Sequence, residues 1–202
     1  MKILNLYAGI GGNRKLWGDT NEITAIENVP EIAKIYQDFF PKDKVIITDA
    51  HQYLLEHFKE FDFIWSSPPC QSHSSFRHNI CVRFHNSNPV YPEMTLWQEI
   101  IFLRYYGKNW VVENVKPYYE SLIKPDFILQ RHYFWGNKKI KERNFETDLI
   151  RKSQIPQLQQ KCGFDLSDYK LKNKRQILRN CVNPKIGEYI LEEAFREYKT
   201  LL

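Results

Sequence analysis

Phe61-Asp62-Phe63-Ile64-Trp65-Ser66-Ser67-Pro68-Pro69-Cys70-Gln71-Ser72 is the stretch on which the reading of this chain turns. The apolar run after Phe61 is short, aromatic and β-branched, which predicts a strand buried in a parallel sheet. Pro68 and Pro69 fix φ and cannot continue a ladder, so they end that strand and hold a rigid turn at its carboxyl edge. In open α/β sheets, ligands bind at that edge. Cys70 is thereby presented on a stiff support, as a nucleophile must be. A structural Cys after a proline turn would read the same way locally, so the rest of the chain decides.

Outward from that strand, residues 1–136 alternate strand and helix signals. Residues 2–7 read as a first strand, followed by a Gly-rich turn and a short helix. Residues 22–27 give a second strand, and 30–40 a helix with Pro30 in its first turn. A third strand at 44–48 precedes a helix at 51–58. Residues 72–92 show no regular period and are long for a loop in a compact domain, as functional lids are. Helix signals resume over 93–106, Trp110-Val111-Val112-Glu113 is a further strand, and 127–135 supplies the last strand-like material. Helices between strands imply parallel pairing. The expected fold is α/β, a doubly wound and mostly parallel sheet.

Residues 137–174 are charged and Gln-rich and break the alternation, forming a small appendage. Residues 175–202 return to the main domain. From Pro184 they read as an amphipathic helix that covers one sheet face, with Ile186, Ile190, Leu191, Ala194, Phe195 and Tyr198 at helical spacing. A length of 202 residues with 43% hydrophobic and 15% aromatic content suits one core with such an appendage. No apolar stretch approaches the ~20 residues of a membrane span, and the start reads as a strand rather than a signal peptide. Four Cys in no framework spacing point to a reducing cytoplasm. The charge of +5 suits a polyanionic partner without proving one.

Three constellations carry chemistry. Tyr7, Ala8, Gly9, Ile10, Gly11 and Gly12 leave the first strand, where glycines let backbone turn tightly and approach a ligand. The third glycine falls too early for the full dinucleotide fingerprint. The second strand ends in Glu27-Asn28, where a carboxylate can bind ribose hydroxyls. The third ends in Asp49-Ala50, where one can accept from an adenine amino group. Either acid alone is an ordinary strand-end charge; together with the Gly-rich turn they point to an adenosine-bearing cofactor. Glu113 then puts a carboxylate at a strand end that can lie beside Cys70. A thiolate can add to an electron-poor ring carbon when a nearby acid polarises the ring. Cys70, His73, His78, Cys81 and His85 also form a series with zinc-ligand spacing, but the four other than Cys70 lie in a polar loop, and no metal is expected.

On these motifs the chain resembles the cytosine-5 DNA methyltransferases. Residues 6–12 resemble the family's first motif, Phe-x-Gly-x-Gly, with Tyr7 in place of Phe. Ser67-Pro68-Pro69-Cys70-Gln71-Ser72 matches its Pro-Cys motif, and Glu113-Asn114-Val115 its Glu-Asn-Val motif. Arg179-Asn180-Cys181-Val182-Asn183-Pro184 resembles the late Gly-Asn-x-Val-x-Pro motif with Arg179 in place of Gly. The Gln-x-Arg-x-Arg motif is degraded around Gln130-Arg131-His132, where Arg131 or His132 takes the place of the final Arg. The region between that motif and Arg179, where family members carry a large target-recognition region, is short.

The resemblance implies S-adenosyl-L-methionine as cofactor and cytosine in DNA as substrate, with the base flipped out of the duplex. It implies that Cys70 attacks carbon 6, that Glu113 binds the exocyclic amine and ring nitrogen 3, and that Arg131 contacts a ring oxygen or phosphate. It places Tyr7, Ala8, Gly9, Ile10, Gly11, Gly12, Glu27, Asn28, Asp49, Ala50, Pro69, Leu96, Asn180 and Val182 around the cofactor. Structured RNA as substrate, a non-enzymatic binding relative, and a subunit that borrows specificity from a partner chain remain alternatives at this level.

Overall fold

The computed structural model describes residues 1–82, 84, 88–146 and 153–196, with only the backbone of Cys81. Tyr198, His85 and the Cys81 side chain therefore lie outside the described residues. Seven strands form one sheet: β1 (Lys2–Leu6), β2 (Glu22–Ile26), β3 (Lys44–Ile46), β4 (Phe63–Ser66), β5 (Trp110–Val115), β6 (Phe127–Leu129) and β7 (His132–Gly136). Their order is β3-β2-β1-β4-β5-β7-β6. The pairs from β3 to β5 are parallel, while β7 runs antiparallel to both β5 and β6. The stretch 127–135 is thus a hairpin. Its turn is made by Gln130 and Arg131, and Gln130 takes a left-handed φ of 53°.

Both sheet faces are covered, which is why the central strands read as near-continuous apolar runs. Alternate residues feed opposite faces. Ile3, Ile23, Phe63, Trp65, Val111 and Phe134 pack under α6 (Pro184–Phe195), through Ile186, Tyr189 and Ile190. Leu4, Leu6, Ile64, Trp110, Val112 and Trp135 pack under α2 (Ala50–His57) and α3 (Thr95–Tyr106), through Leu54, Leu96, Ile100 and Leu103. The amphipathic C-terminal helix takes the role its spacing predicts.

A third cluster joins α1 (Pro30–Phe39) to α4 (Ile155–Cys162) and α5 (Lys174–Asn180). Leu158, Cys162, Phe164, Leu166 and Leu178 meet Ile35, Tyr36 and Phe40 there, all of them buried. Burying a Leu- or Phe-sized side chain contributes roughly 1.5–3 kcal/mol, against about 0–1 kcal/mol for a surface ion pair. Apolar contacts, not the charges prominent in its sequence, hold the 155–166 stretch against α1.

Two local expectations are corrected. Residues 13–17 form successive turns rather than a helix, with Trp17 N–H donating to the Arg14 carbonyl at 3.0 Å. Side chains hold them instead. Asn13 donates to Asn5 of β1 at 2.7 Å, and buried Arg14 grips Asp43 through two bonds of 2.8 and 3.0 Å, where Tyr36 also donates. The loop after Cys70, in turn, contains a π-helical segment, Arg77–Val82. It is pinned by a bridge between Ser74 and Pro117 and by His78 stacked 3.9 Å from Tyr118. Among the described residues, no helix is long and apolar enough to cross a membrane.

Candidate active site

The chain order reverses between β1 and β4, the two central strands, and a crevice opens there at the carboxyl edge. A cavity of about 970 Å³ fills it, a volume at the upper end of the small-molecule range. One wall is the first turn, with Tyr7, Ala8, Gly9, Ile10 and Gly12. The floor is Ser67, Pro68, Pro69 and Cys70, beside Glu113, Asn114 and Val115 at the end of β5. Arg131 and His132 close one side, and residues 171–177 with Asn180, Cys181 and Val182 close the other.

At the first turn, Gly9 has a φ of 55° and a Cβ placed there would meet nothing within 4 Å, so its backbone faces open space. A Cβ on Gly12 would lie 2.8 Å from the Cβ of Cys181 and from the Val182 carbonyl. The late motif therefore packs directly on the turn and needs glycine there. Glu27 is fixed in orientation: the Gly9 N–H donates to Oε2 at 3.0 Å and the Val29 N–H to Oε1 at 2.9 Å. A bare backbone wall, an oriented carboxylate and apolar Ile10, Ile32 and Pro69 suit a ligand carrying a nucleoside. The residues present fit the cofactor implied by the motifs.

At the Cys70 end of the cavity, the Pro-Pro turn is tied to β5. Asn114, 1% exposed, donates from Nδ2 to the Pro68 carbonyl at 2.9 Å, which explains the Asn beside Glu113. The Cys70 carbonyl accepts from the amides of His73 and Ser74 at 3.1 and 2.9 Å. Burial pushes the Cys70 thiol up to about 11, with a further push from Glu113 and an opposing pull from Arg131. Burial likewise raises the Glu113 carboxyl to about 7, against Ser67 and Arg131, which favour the carboxylate. Ser67 is itself held by the Trp65 indole N–H at 2.8 Å. A carboxyl poised near neutrality beside a thiol is an arrangement able to exchange a proton at neutral pH.

His132 is the buried member of the degraded Arg motif. It is 5% exposed, and its Nε2 lies 3.6 Å from Glu113 Oε1. Burial, with Arg131 and Lys161, lowers its pKa to about 3, so the ring is neutral in the neutral range. The contact with Glu113 is consequently a close approach of a neutral imidazole rather than an ion pair. Arg131 is exposed and donates to the Arg179 carbonyl at 3.3 Å, bridging the hairpin turn to the late motif.

Of the residues singled out in the sequence, the cavity gathers Tyr7, Ala8, Gly9, Ile10, Gly12, Glu27, Asn28, Pro69, Cys70, Glu113, Arg131, Asn180 and Val182. Gly11, Asp49, Ala50 and Leu96 do not line it. Gly11 turns toward α1, where an added Cβ would meet the Phe40 ring at 2.3 Å. The Asp49 carboxylate caps α2, accepting from Gln52 N–H at 2.8 Å. Ala50 and Leu96 belong to the core. Sequence reasoning gave no role to Ser67 and Asn114, and offered His132 only as the alternative to Arg131 in the degraded motif. Ser67 and Asn114 lie inside the quoted motifs, and a search for polar residues flanking the Cys and Glu would have found both. No group of three or more His, Cys, Asp or Glu able to hold a metal occurs among the described residues.

A parallel sheet with an antiparallel hairpin at one edge and a Gly-rich first turn over a cavity at its carboxyl edge defines a Rossmann-like α/β fold. The chain matches the model of the C-5 cytosine-specific DNA methylases over residues 1–117 and belongs to that family. Among solved structures it is similar to Entamoeba histolytica methyltransferase EhMeth, with a TM-score of 0.59 and 12% identity over 96% of this chain and 98% of that one. A triple mutant of Spodoptera frugiperda DNMT2 matches with a TM-score of 0.47 and 23% identity, over 73% of this chain and 53% of that one. No curated protein matches.

Proposed function

We propose that this chain methylates carbon 5 of a cytosine in DNA, the base being flipped into the cavity. The observation that carries the reading is that Cys70 and Glu113 share one cavity with the glycine wall and Glu27. The Cys70 thiolate forms a bond to carbon 6. The electron pair displaced from the ring double bond is drawn toward nitrogen 3, which takes the proton of Glu113. S-adenosylmethionine, when bound, supplies an electrophilic methyl group. Carbon 5, made electron-rich by the addition, accepts that methyl. Loss of the carbon-5 proton, departure of the thiolate from carbon 6 and return of the nitrogen-3 proton to Glu113 restore the ring. Ser67 and His132 orient the Glu113 carboxyl, and Asn114 holds the turn that carries Cys70.

Incubation with labelled S-adenosylmethionine and DNA, or structured RNA, followed by nucleoside analysis, tests the reading. Labelled 5-methylcytosine from DNA is expected. Label in RNA alone would move the substrate to RNA, and label in neither would overturn the reading.

Glu27 is assigned to the ribose of the cofactor. Glu27→Ala should weaken S-adenosylmethionine binding by roughly 10- to 100-fold, the loss of a charge-assisted hydrogen bond. Asp49→Ala should weaken it less, because that side chain lies off the cavity wall; its main cost is a lost helix cap, about 0.5–2 kcal/mol of stability. Calorimetry and melting curves separate the two effects. An unchanged affinity in Glu27→Ala would place the cofactor elsewhere.

The cavity mouth carries Lys172, Lys174 and Arg175, together with Arg77, Arg131 and Arg179. We assign this rim to the phosphate backbone, which supplies affinity but no sequence information. The equally basic 138–143 stretch does not line the cavity. Neutralising Lys172, Lys174 and Arg175 should lower the slope of log affinity against log salt by up to about 0.9 for each phosphate that the protein no longer neutralises. The same change within 138–143 should leave the slope nearly unaltered. Equal slopes for both sets of variants would remove the rim from the nucleic-acid surface. With so few side chains left between Gly136 and Arg179 to reach base edges, the target sequence should be short or relaxed, which methylation mapping on random DNA reads directly.

A further inference from the structure

One buried charge lies outside the chemistry described so far. Glu99 sits on α3, is 0% exposed, and faces the apolar layer that contains Leu96, Ile100 and Leu103. A buried carboxylate persists in such surroundings only when its oxygens are fully engaged. Glu99 is engaged three times. The Tyr7 hydroxyl donates to Oε1 at 2.6 Å, His51 Nδ1 lies 3.1 Å from the same oxygen, and the Ser66 hydroxyl donates to Oε2 at 2.6 Å.

The origin of those partners is what matters. Tyr7 begins the glycine turn after β1. Ser66 is the last residue of β4, directly before Ser67-Pro68-Pro69-Cys70. His51 stands in the first turn of α2, behind the Asp49 cap. One carboxylate thus joins the cofactor turn, the catalytic turn and the end of the β3 connection. Tyr7 also takes a left-handed φ of 55°, which costs a bulky L-residue energy and must be enforced by its surroundings. Tyr7 lines the cavity, its side chain packs against the apolar layer of Leu96 and Ile100, and its hydroxyl reaches Glu99. A phenylalanine at this position would keep the ring and lose the tether.

We propose that Glu99 is a positioning residue for the methyl-donor pocket: through the Tyr7 hydroxyl it holds the strained first residue of the glycine turn that lines the cavity, and through Ser66 it holds the catalytic turn in the same frame. The proposal rests on the reading of that cavity as the S-adenosylmethionine site. Glu99 touches neither cofactor nor base; it acts through Tyr7 and Ser66.

Calorimetric titration of the full chain with S-adenosylmethionine, without any nucleic acid, is the test. Tyr7→Phe and Glu99→Gln should each weaken binding by about tenfold, the scale of one hydrogen bond to a charged group. The double variant should bind no more weakly than Glu99→Gln alone, because both changes break the same link. Tyr7→Phe alters no packing and keeps the assay decisive if Glu99→Gln lowers the melting temperature. A folded Tyr7→Phe with wild-type affinity overturns the proposal and leaves the proposed function standing. Additive losses overturn it as well, since Glu99 would then act independently of the tyrosine. Wild-type protein that binds no S-adenosylmethionine overturns both.

Discussion

Cys70→Ser is expected to abolish methyl transfer, with a loss of about 10³-fold or more, and to abolish the covalent adduct with a cytosine bearing fluorine at carbon 5. The fluorine cannot leave as a proton does, so an enzyme that has added its thiolate to carbon 6 stays attached, and a denaturing gel shows the complex. Serine preserves the size of the side chain but not its acidity, and thiolate character is what makes this nucleophile work. Burial already holds the Cys70 thiol near 11, so at pH 7 only ~1 part in 10⁴ is ionised in the free protein. Ligand binding must complete the activation, with the Arg131 charge as the contribution from the protein that favours the thiolate. The other cysteines serve as controls. Cys162 and Cys181 donate to the Leu178 and Ile177 carbonyls of α5 and belong to the packing around α1. Replacing them, or Cys81, should leave adduct formation in place. An adduct retained by Cys70→Ser, or absent from active wild-type protein, would remove Cys70 from the chemistry.

Most of the fold was legible because it depends on local patterns. The buried strands announce themselves as β-branched and aromatic runs, and Pro68-Pro69 fix where the central one ends. The positions of Cys70, Glu113 and Glu27 at carboxyl edges followed from strand order alone. What the sequence did not convey was tertiary. Residues 13–17 carry turn and helix signals that compete, and buried partners such as Asn5 and Asp43 decide for turns. Phe164 and Leu166 sit in a charged, Gln-rich neighbourhood, so their burial against Tyr36 and Phe40 could not be read from composition. Asp49 shows the same limit from the other direction. A strand-end acid can serve as a ligand contact, a helix cap or both, and the position of Gln52 N–H shows the cap. His132 and Glu99 depend on juxtapositions across 19 and 33 residues, to Glu113 and Ser66 respectively, and no local pattern encodes those.

Methyl transfer should rise with pH through about 7 and then level off, and Glu113→Gln should lose most of the rate and that levelling-off, its residual rate continuing to climb with the Cys70 thiolate above 7. The sign follows from counting protons on the pair. With Glu113 near 7 and Cys70 near 11, the pair holds two protons below pH 7 and one between 7 and 11. The reactive arrangement, thiolate beside protonated carboxyl, also holds one, so moving the proton from sulfur to carboxylate needs no exchange with water. Below 7 the extra proton must first leave, and the rate falls up to tenfold per pH unit. Above 7 the one-proton form dominates and the rate is flat. Glutamine can still accept and donate hydrogen bonds, but it cannot deliver a proton to nitrogen 3, a contribution of typically 10²- to 10⁴-fold. Removing the carboxylate also removes a negative neighbour that raises the Cys70 pKa, so the thiol of Glu113→Gln should ionise at lower pH than in the wild type. The rate of alkylation by iodoacetamide against pH reads that shift without any substrate. A wild-type rate profile flat from pH 5 to 8, or a Cys70 alkylation curve unmoved by Glu113→Gln, would show that the two groups do not share their proton and that Glu113 meets the base in some other role.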